Sequence, residues 1–461
     1  MVSQNLINFL SNLPEVSNPT QKRLPFKERL KWTLIILAAF FVLGMIPLFG
    51  LGQNALQQFE YLSIILGAEF GSIISLGIGP IVTASIVLQL LTGAGIMHID
   101  LTTEEGRKYF QGLQKLLSIL FIIFEASIYV FMGGLSPVEG SAYGIMRLVL
   151  VFQLFLGGLL ILFMDEVTSK WGFGSGVSLF IAAGVSKSLF IRMLSPMRSP
   201  TNPDVFIGAI PTLFKSLAIG DPQTAFLMFA GVAATIIIFI MAVYAQAMKV
   251  EIPLSFGRVR GYGIRWPLNF LYASNIPVIL VAALMANVQL WARLLQNWGR
   301  PLLGTFVGNT PSTGLVAWIN APNVVGKIIM GNITGADFIH TLIYMLFMVA
   351  GAAIFSIFWV QTSGMDAASQ AKQIMSSGLQ IPGFRRDERV LERILARYIM
   401  PLTVMGGLAV GLLAAVADVS GALSRGTGIL LAVMIIYQFY ERIAREHAMD
   451  MNPTLKRFMT A

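Results

Sequence analysis

Apolar runs of about 20 residues alternate with short polar stretches along this chain, and about 20 apolar residues is the length that crosses ~30 Å of hydrocarbon as a helix. Ten runs are legible, at 32–50, 73–96, 114–134, 145–164, 175–192, 224–247, 267–291, 337–360, 400–417 and 427–441. The second is interrupted. Its sequence, SLGIGPIVTASIVLQLL, opens with Gly77, Gly79 and Pro80, the residues that most weaken a helix. Just upstream, EYLSIILGAEFGSII is apolar but broken by Gly67 and Gly71 and too short to span. At the start of the chain, Leu6, Ile7, Phe9, Leu10 and Leu13 recur at helical spacing with no basic residue before them, which predicts an interfacial helix rather than a cleavable signal.

The polar stretch 193–223 divides the runs into five and five. Five is odd, so the second half enters the membrane from the side opposite to the first. The pattern therefore predicts an all-α membrane protein of ten transmembrane helices in two inverted five-helix halves, an arrangement that builds a pathway between the halves. No residue-level match between the halves accompanies it.

Composition agrees with a polytopic membrane protein: 56% of 461 residues are hydrophobic and 12% are charged, against about 25% charged in soluble domains. The charges are unevenly placed. Five Lys and Arg precede the first run, four lie in 248–266, six in 361–399 and four after the last run, whereas 51–72 has none. Basic residues stay in the cytoplasm, so both termini are expected there, in a multi-pass protein of the cell membrane.

The candidate chemistry is sparse. No cysteine is present, which removes disulfides, thiolate nucleophiles and Cys-based metal sites. His98, His340 and His447 are far apart, so no metal site and no cofactor are expected. No G-x-x-x-x-G-K-[ST] loop occurs, and the chain is not expected to be an enzyme. Ion-coupled carriers keep charged groups at midmembrane; here Glu125 is the one clear carboxylate at depth, read as a packing residue hydrogen-bonded between helices. A secondary solute transporter with inverted repeats is the alternative, and this inventory disfavours it. Two glycine-rich helix entries instead place aliphatic pairs four residues apart, Ile78 with Val82 and Val177 with Ile181. Each pair stacks on one helix face, and a ring of such side chains offers water and ions no hydrogen-bond partner.

Three stretches, SLGIGPIVTASIVLQLL, DEVTSKWGFGSGVSLFIAAGVS and YASNIPVILVAALMANVQLW, closely resemble the SecY family, the large (alpha) subunit of the Sec protein-conducting channel. The likeness extends from PFKERLKWT to GTGILLAVMIIYQFYE, and VEIPLSFGRVRG and FQGLQKLLS are similar to the archaeal branch. The resemblance implies a central pore that passively conducts secretory polypeptides and releases transmembrane segments into lipid through a lateral gate. It implies a plug at about 58–70, with Gly67 and Gly71 as hinges, and a pore ring of Ile78, Val82, Val177, Ile181, Ile279 and Leu431. Thr83, Gln89 and Asn287 would line the gate between spans 2 and 7, and Arg258, Arg385 and Arg386 would dock the ribosome. Within the second loop, DERVLERILARY gathers Val390, Leu391, Ile394 and Leu395 on one face of a helix expected to fold back on its neighbour, leaving GFRR at a tip. The implied partners are a SecE-type (gamma) subunit, a small beta subunit, the ribosome, signal sequences, nascent polypeptides and membrane lipids. The expected division is an N-terminal half over 1–198, a connection over 199–223, and a C-terminal half over 224–461 with cytoplasmic loops 248–266 and 361–399.

Overall fold

In hydrocarbon no water satisfies backbone N–H and C=O groups, so each apolar run must close its hydrogen bonds within itself. A computed structural model of the chain shows the runs doing so; it describes residues 13–21, 24–54, 69–93, 96–97, 99, 103–138, 143–198, 206–256, 263–273, 276–307, 310–376, 379–380, 387–423 and 426–451. In the first half the spanning helices are α1 (Phe26–Gly44), α2 (Gly79–Gly93), α3 (Glu104–Phe131), α4 (Tyr143–Trp171) and α5 (Gly176–Leu194). After α6 (Ala209–Ile219), the second half has α7 (Pro222–Ala247) and α8 (Ile276–Asn297). Two short helices, α9 (Leu315–Trp318) and α10 (Val324–Ile329), precede the spanning α11 (Gly335–Thr362). Then come α12 (Ala367–Ser376) and the spanning α13 (Glu388–Val419) and α14 (Gly426–Met451). Seven of the ten spanning helices are long and apolar enough to cross a bilayer by themselves; α1, α2 and α14 complete the two halves.

Helix α2 is the short one. Its 15 residues reach only about 22 Å, and residues 70–78 before it are turns rather than the helix the apolar run suggested. Gly71 and Gly77 cause this, with φ of 98° and 55° that L side chains avoid. The carbonyl of Ile78 accepts from Val82 N–H at 3.0 Å, so the helix begins at the expected aliphatic pair.

Two expected boundaries are corrected. Residues 267–275 were expected to open the seventh span, but strand β1 (Lys249–Phe256) pairs antiparallel with an extended β2 (Gly263–Asn269), Lys249 opposite Asn269. β1 also pairs β3 (Leu379–Gln380), which leaves β2 on an edge, where Pro267 is tolerated. DERVLERILARY was expected to form a helix folded back on its neighbour, and it does pack on α12 at Ala371 and Ile374, but it was expected to end before the ninth span at 400–417. Instead α13 runs unbroken through Pro401. Leu391, Leu395, Ile399 and Leu402 form one buried stripe with Val360, Ala371 and Ile374, and this packing outweighs the proline's lost hydrogen bond.

Small residues set the closest helix approaches. A Cβ on Gly157 of α4 would stand 1.9 Å from the Ile73 carbonyl oxygen, and one on Gly411 of α13 would stand 2.9 Å from Val349 Cα of α11. The polar connection between the halves contains α6, ended by Gly220 at φ 84°. Arg192 at the end of α5 reaches across to the second half, donating to the Leu423 carbonyl at 3.2 Å.

Candidate functional site

The six aliphatic residues come from both halves and reach one place. Ile78, Ile181 and Leu431 are 1% exposed, Val82 6% and Ile279 7%, and all five belong to a single apolar cluster against which Val177 packs half-buried. They are carried by the entry to α2 and by α2, α5, α8 and α14. The elements touch pairwise: α5 with α14, α8 with α14, and α8 with α2.

Polar groups mark the seam between α2 and α8. Asn287 Nδ2 donates to Thr83 Oγ1 at 3.1 Å across it. The Thr83 hydroxyl donates to the Gly79 carbonyl at 2.8 Å, with Glu125 Oε1 of α3 also within reach at 3.4 Å. Asn287 Oδ1 and Glu125 Oε2 are buried with no partner among the described residues. Gln89 is buried further along α2, and its Oε1 likewise has no partner there. The sequence reading kept Glu125 apart from the seam. Its standing as the lone deep carboxylate was the signal that could have joined it to Thr83, since such a group must find a donor in lipid.

The entry to α2 is tied down by short bonds. The Gly71 N–H donates to Ser75 Oγ at 2.8 Å, and Ser72 Oγ donates to the Glu69 carbonyl at 2.7 Å. Leu48 N–H donates to the Gly71 carbonyl at 2.9 Å, and Ile73 N–H to the Ile46 carbonyl at 3.0 Å. Gly71 thus sits at a fixed turn. Gly67 and nearly all of the expected plug, and Arg258, Arg385 and Arg386, lie outside the described residues. No group of three or more His, Asp or Glu that could hold a metal occurs among the described residues.

Two five-helix halves meeting on an apolar cluster, with a lightly bonded polar seam at one side, define a membrane channel rather than a carrier built on a charged midmembrane site. The SecY family profile matches residues 72–440. The protein translocase subunit SecY of Methanothermobacter thermautotrophicus is 46% identical over 453 residues, 97% of each chain. A solved SecY structure, described as having a plug domain that stabilises the closed state of the translocation channel and maintains a membrane seal, is similar with a TM-score of 0.82. It is 41% identical and covers 96% of this chain and 97% of that one. Sec61 in the canine ribosome–channel complex from the endoplasmic reticulum is similar with a TM-score of 0.79 and 40% identity, covering 96% of this chain and 97% of that one. The chain belongs to the SecY family.

Proposed function

We propose that this chain is the central subunit of a protein-translocation channel, conducting secretory polypeptides through its middle and releasing apolar helices sideways between α2 and α8. The observation that carries the reading is the convergence of Ile78, Val82, Val177, Ile181, Ile279 and Leu431, drawn from both halves, on one apolar cluster. A translocating chain presents every kind of side chain in turn, so a selective binding site would stall it. Aliphatic side chains close around a polypeptide without holding it, and they give hydrated ions nothing to bond.

The Thr83–Asn287 bond spans the lateral gate, with Gln89 as a further polar member. An interhelix bond of this kind is worth about 0.6–2 kcal/mol, which an apolar signal sequence overcomes. Residues 58–70, hinged at Gly67 and Gly71, form the plug. Arg258, Arg385 and Arg386 dock the ribosome, whose RNA phosphates attract arginine in a salt-dependent way. The SecE-type and beta subunits complete the complex in the cell membrane, with both termini cytoplasmic and the halves meeting at 199–223. Driving energy comes from outside this chain. A solute carrier has less support: Glu125, Asp337 and Asp418, the buried carboxylates among the described residues, are each hydrogen-bonded to a neighbouring hydroxyl, of Thr83, Thr334 and Tyr344.

Because the chain has no cysteine, single cysteines report cleanly. A stalled nascent chain should crosslink to cysteines at Ile78 and Ile279 and not to one at Phe239, which is 53% exposed on α7. Equal crosslinking at all three positions would overturn the reading.

A further inference from the structure

The turn leading into α2 is bound to α5 by an ion pair that the pore description does not use. Glu69 Oε1 meets Lys187 Nζ, with the two side chains 41% and 44% exposed. Glu69, at the end of the range proposed for the plug, stands nine residues before Ile78 on the segment that delivers this aliphatic residue to the central cluster. Lys187 stands six residues past Ile181 on α5, which is about 9 Å along the helix. The pair therefore joins two elements that each contribute aliphatic residues to the central cluster.

Its acidic member is held from several sides. The Glu69 carbonyl accepts from Ser72 Oγ at 2.7 Å, and Ser75 Oγ lies 3.3 Å from the same oxygen. Gly44, the last residue of α1, leaves room for the Glu69 stem, since a Cβ there would stand 3.0 Å from Glu69 Cγ. With its backbone fixed and a channel cleared for its side chain, Glu69 is aimed at α5.

We propose that Glu69 and Lys187 form an electrostatic latch that fastens the entry to α2 onto α5 and so keeps Ile78 seated in the central cluster when no polypeptide is present. The latch rests on the reading of the central cluster as a closable pore. Drawing the entry to α2, and Ile78 with it, away from α5 breaks the ion pair. Half-exposed pairs are weak. A weak latch suits a pore that opens repeatedly, because each opening need displace only a small bias.

The test uses the complete channel complex in planar bilayers, comparing wild type, Glu69→Gln, Lys187→Gln and the exchange Glu69→Lys with Lys187→Glu. Either single variant should raise idle open probability roughly two- to fivefold, and the exchange should return it to within a factor of about two of wild type. Raising salt to about 1 M, where the Debye length is near 3 Å, should bring wild type up toward the single variants and leave those unchanged. Single variants as quiet as wild type overturn the latch, and so does an exchange variant as leaky as the singles. A pair that only stabilises the fold would lower the melting temperature while leaving idle opening unchanged, which also overturns it. Wild-type translocation of a signal-bearing substrate is measured alongside. If it proceeds while the single variants stay quiet, the latch alone has failed; if it does not, the channel reading has failed.

Discussion

Replacing Asn287 by leucine should make the seam harder to open, and the structure gives both sign and size. Asn287→Leu removes the 3.1 Å bond to Thr83, a loss of about 0.6–1.7 kcal/mol in a membrane bundle. It leaves Thr83 satisfied, because the threonine hydroxyl donates to the Gly79 carbonyl at 2.8 Å within its own helix. It also removes Asn287 Oδ1, which is buried without a partner among the described residues and costs the closed state about 1–3 kcal/mol. When the seam parts, water and the incoming peptide can satisfy that oxygen, so asparagine favours opening. The net effect is a closed gate more stable by about 1 kcal/mol, roughly a fivefold shift against opening. Burying one leucine is worth about 1.5–3 kcal/mol, so the least hydrophobic signal accepted should need up to one more leucine. The assay is translocation of a reporter carrying signals graded from alanine to leucine one position at a time. An unchanged or lowered threshold would refute the reasoning.

Serine at Ile78, Ile181 or Ile279, singly and combined, should raise ion conductance severalfold by placing hydroxyls in the apolar cluster; unchanged conductance in planar bilayers contradicts the ring. Arg385→Glu with Arg386→Glu should weaken ribosome binding and flatten its salt dependence by about two counterions, whereas wild-type affinity would remove the docking assignment. Gly157→Ala should destabilise by roughly 1–3 kcal/mol, since its Cβ would stand 1.9 Å from a backbone oxygen. Gly144→Ala, which meets nothing within 4 Å, is the control, and equal melting temperatures would refute the packing. Hydrogen bonding to the Lys170 ammonium holds the Glu15 carboxyl below its ordinary 4.5, so the tie between residues 13–17 and α4 is intact above that value and lost as pH falls through the lowered one. Glu15 is 58% exposed, so the contribution is under about 1 kcal/mol. The protection factor of the Val16 amide, whose N–H donates to Glu166 Oε2 at 3.0 Å, should fall in acid once the pH-dependent intrinsic exchange rate is divided out, and a flat protection profile would contradict this.

The spanning helices were legible because each apolar run must satisfy its own backbone, which makes length and composition nearly sufficient. Broken entry to α2 was legible for a related reason, since Gly71, Gly77, Gly79 and Pro80 act locally. Pairing across helices was not. Thr83 and Asn287 are 204 residues apart, and no periodicity reports the rotation of one helix against another; only the resemblance placed them together. The same blindness left Glu125 unassigned to the seam. Where the sequence reading erred, long-range packing won over a local signal. Pro267 and Leu268 read as the start of a span, yet a backbone ladder to β1 keeps them extended. The ninth span read as starting at 400, yet the stripe from Leu391 to Leu402 makes one helix of the span and the segment before it.

The continuity of α13 has a mechanical consequence. Its 32 residues measure about 48 Å end to end, and the membrane portion lies along α11, which in turn lies against α8. A body gripping the first turns, around Arg389 and Arg393, holds a lever arm whose far end is seated in the second half. Tilting that arm by a few degrees from outside would move α8 with it, so a synthesising machine could strain the seam before any signal sequence arrives.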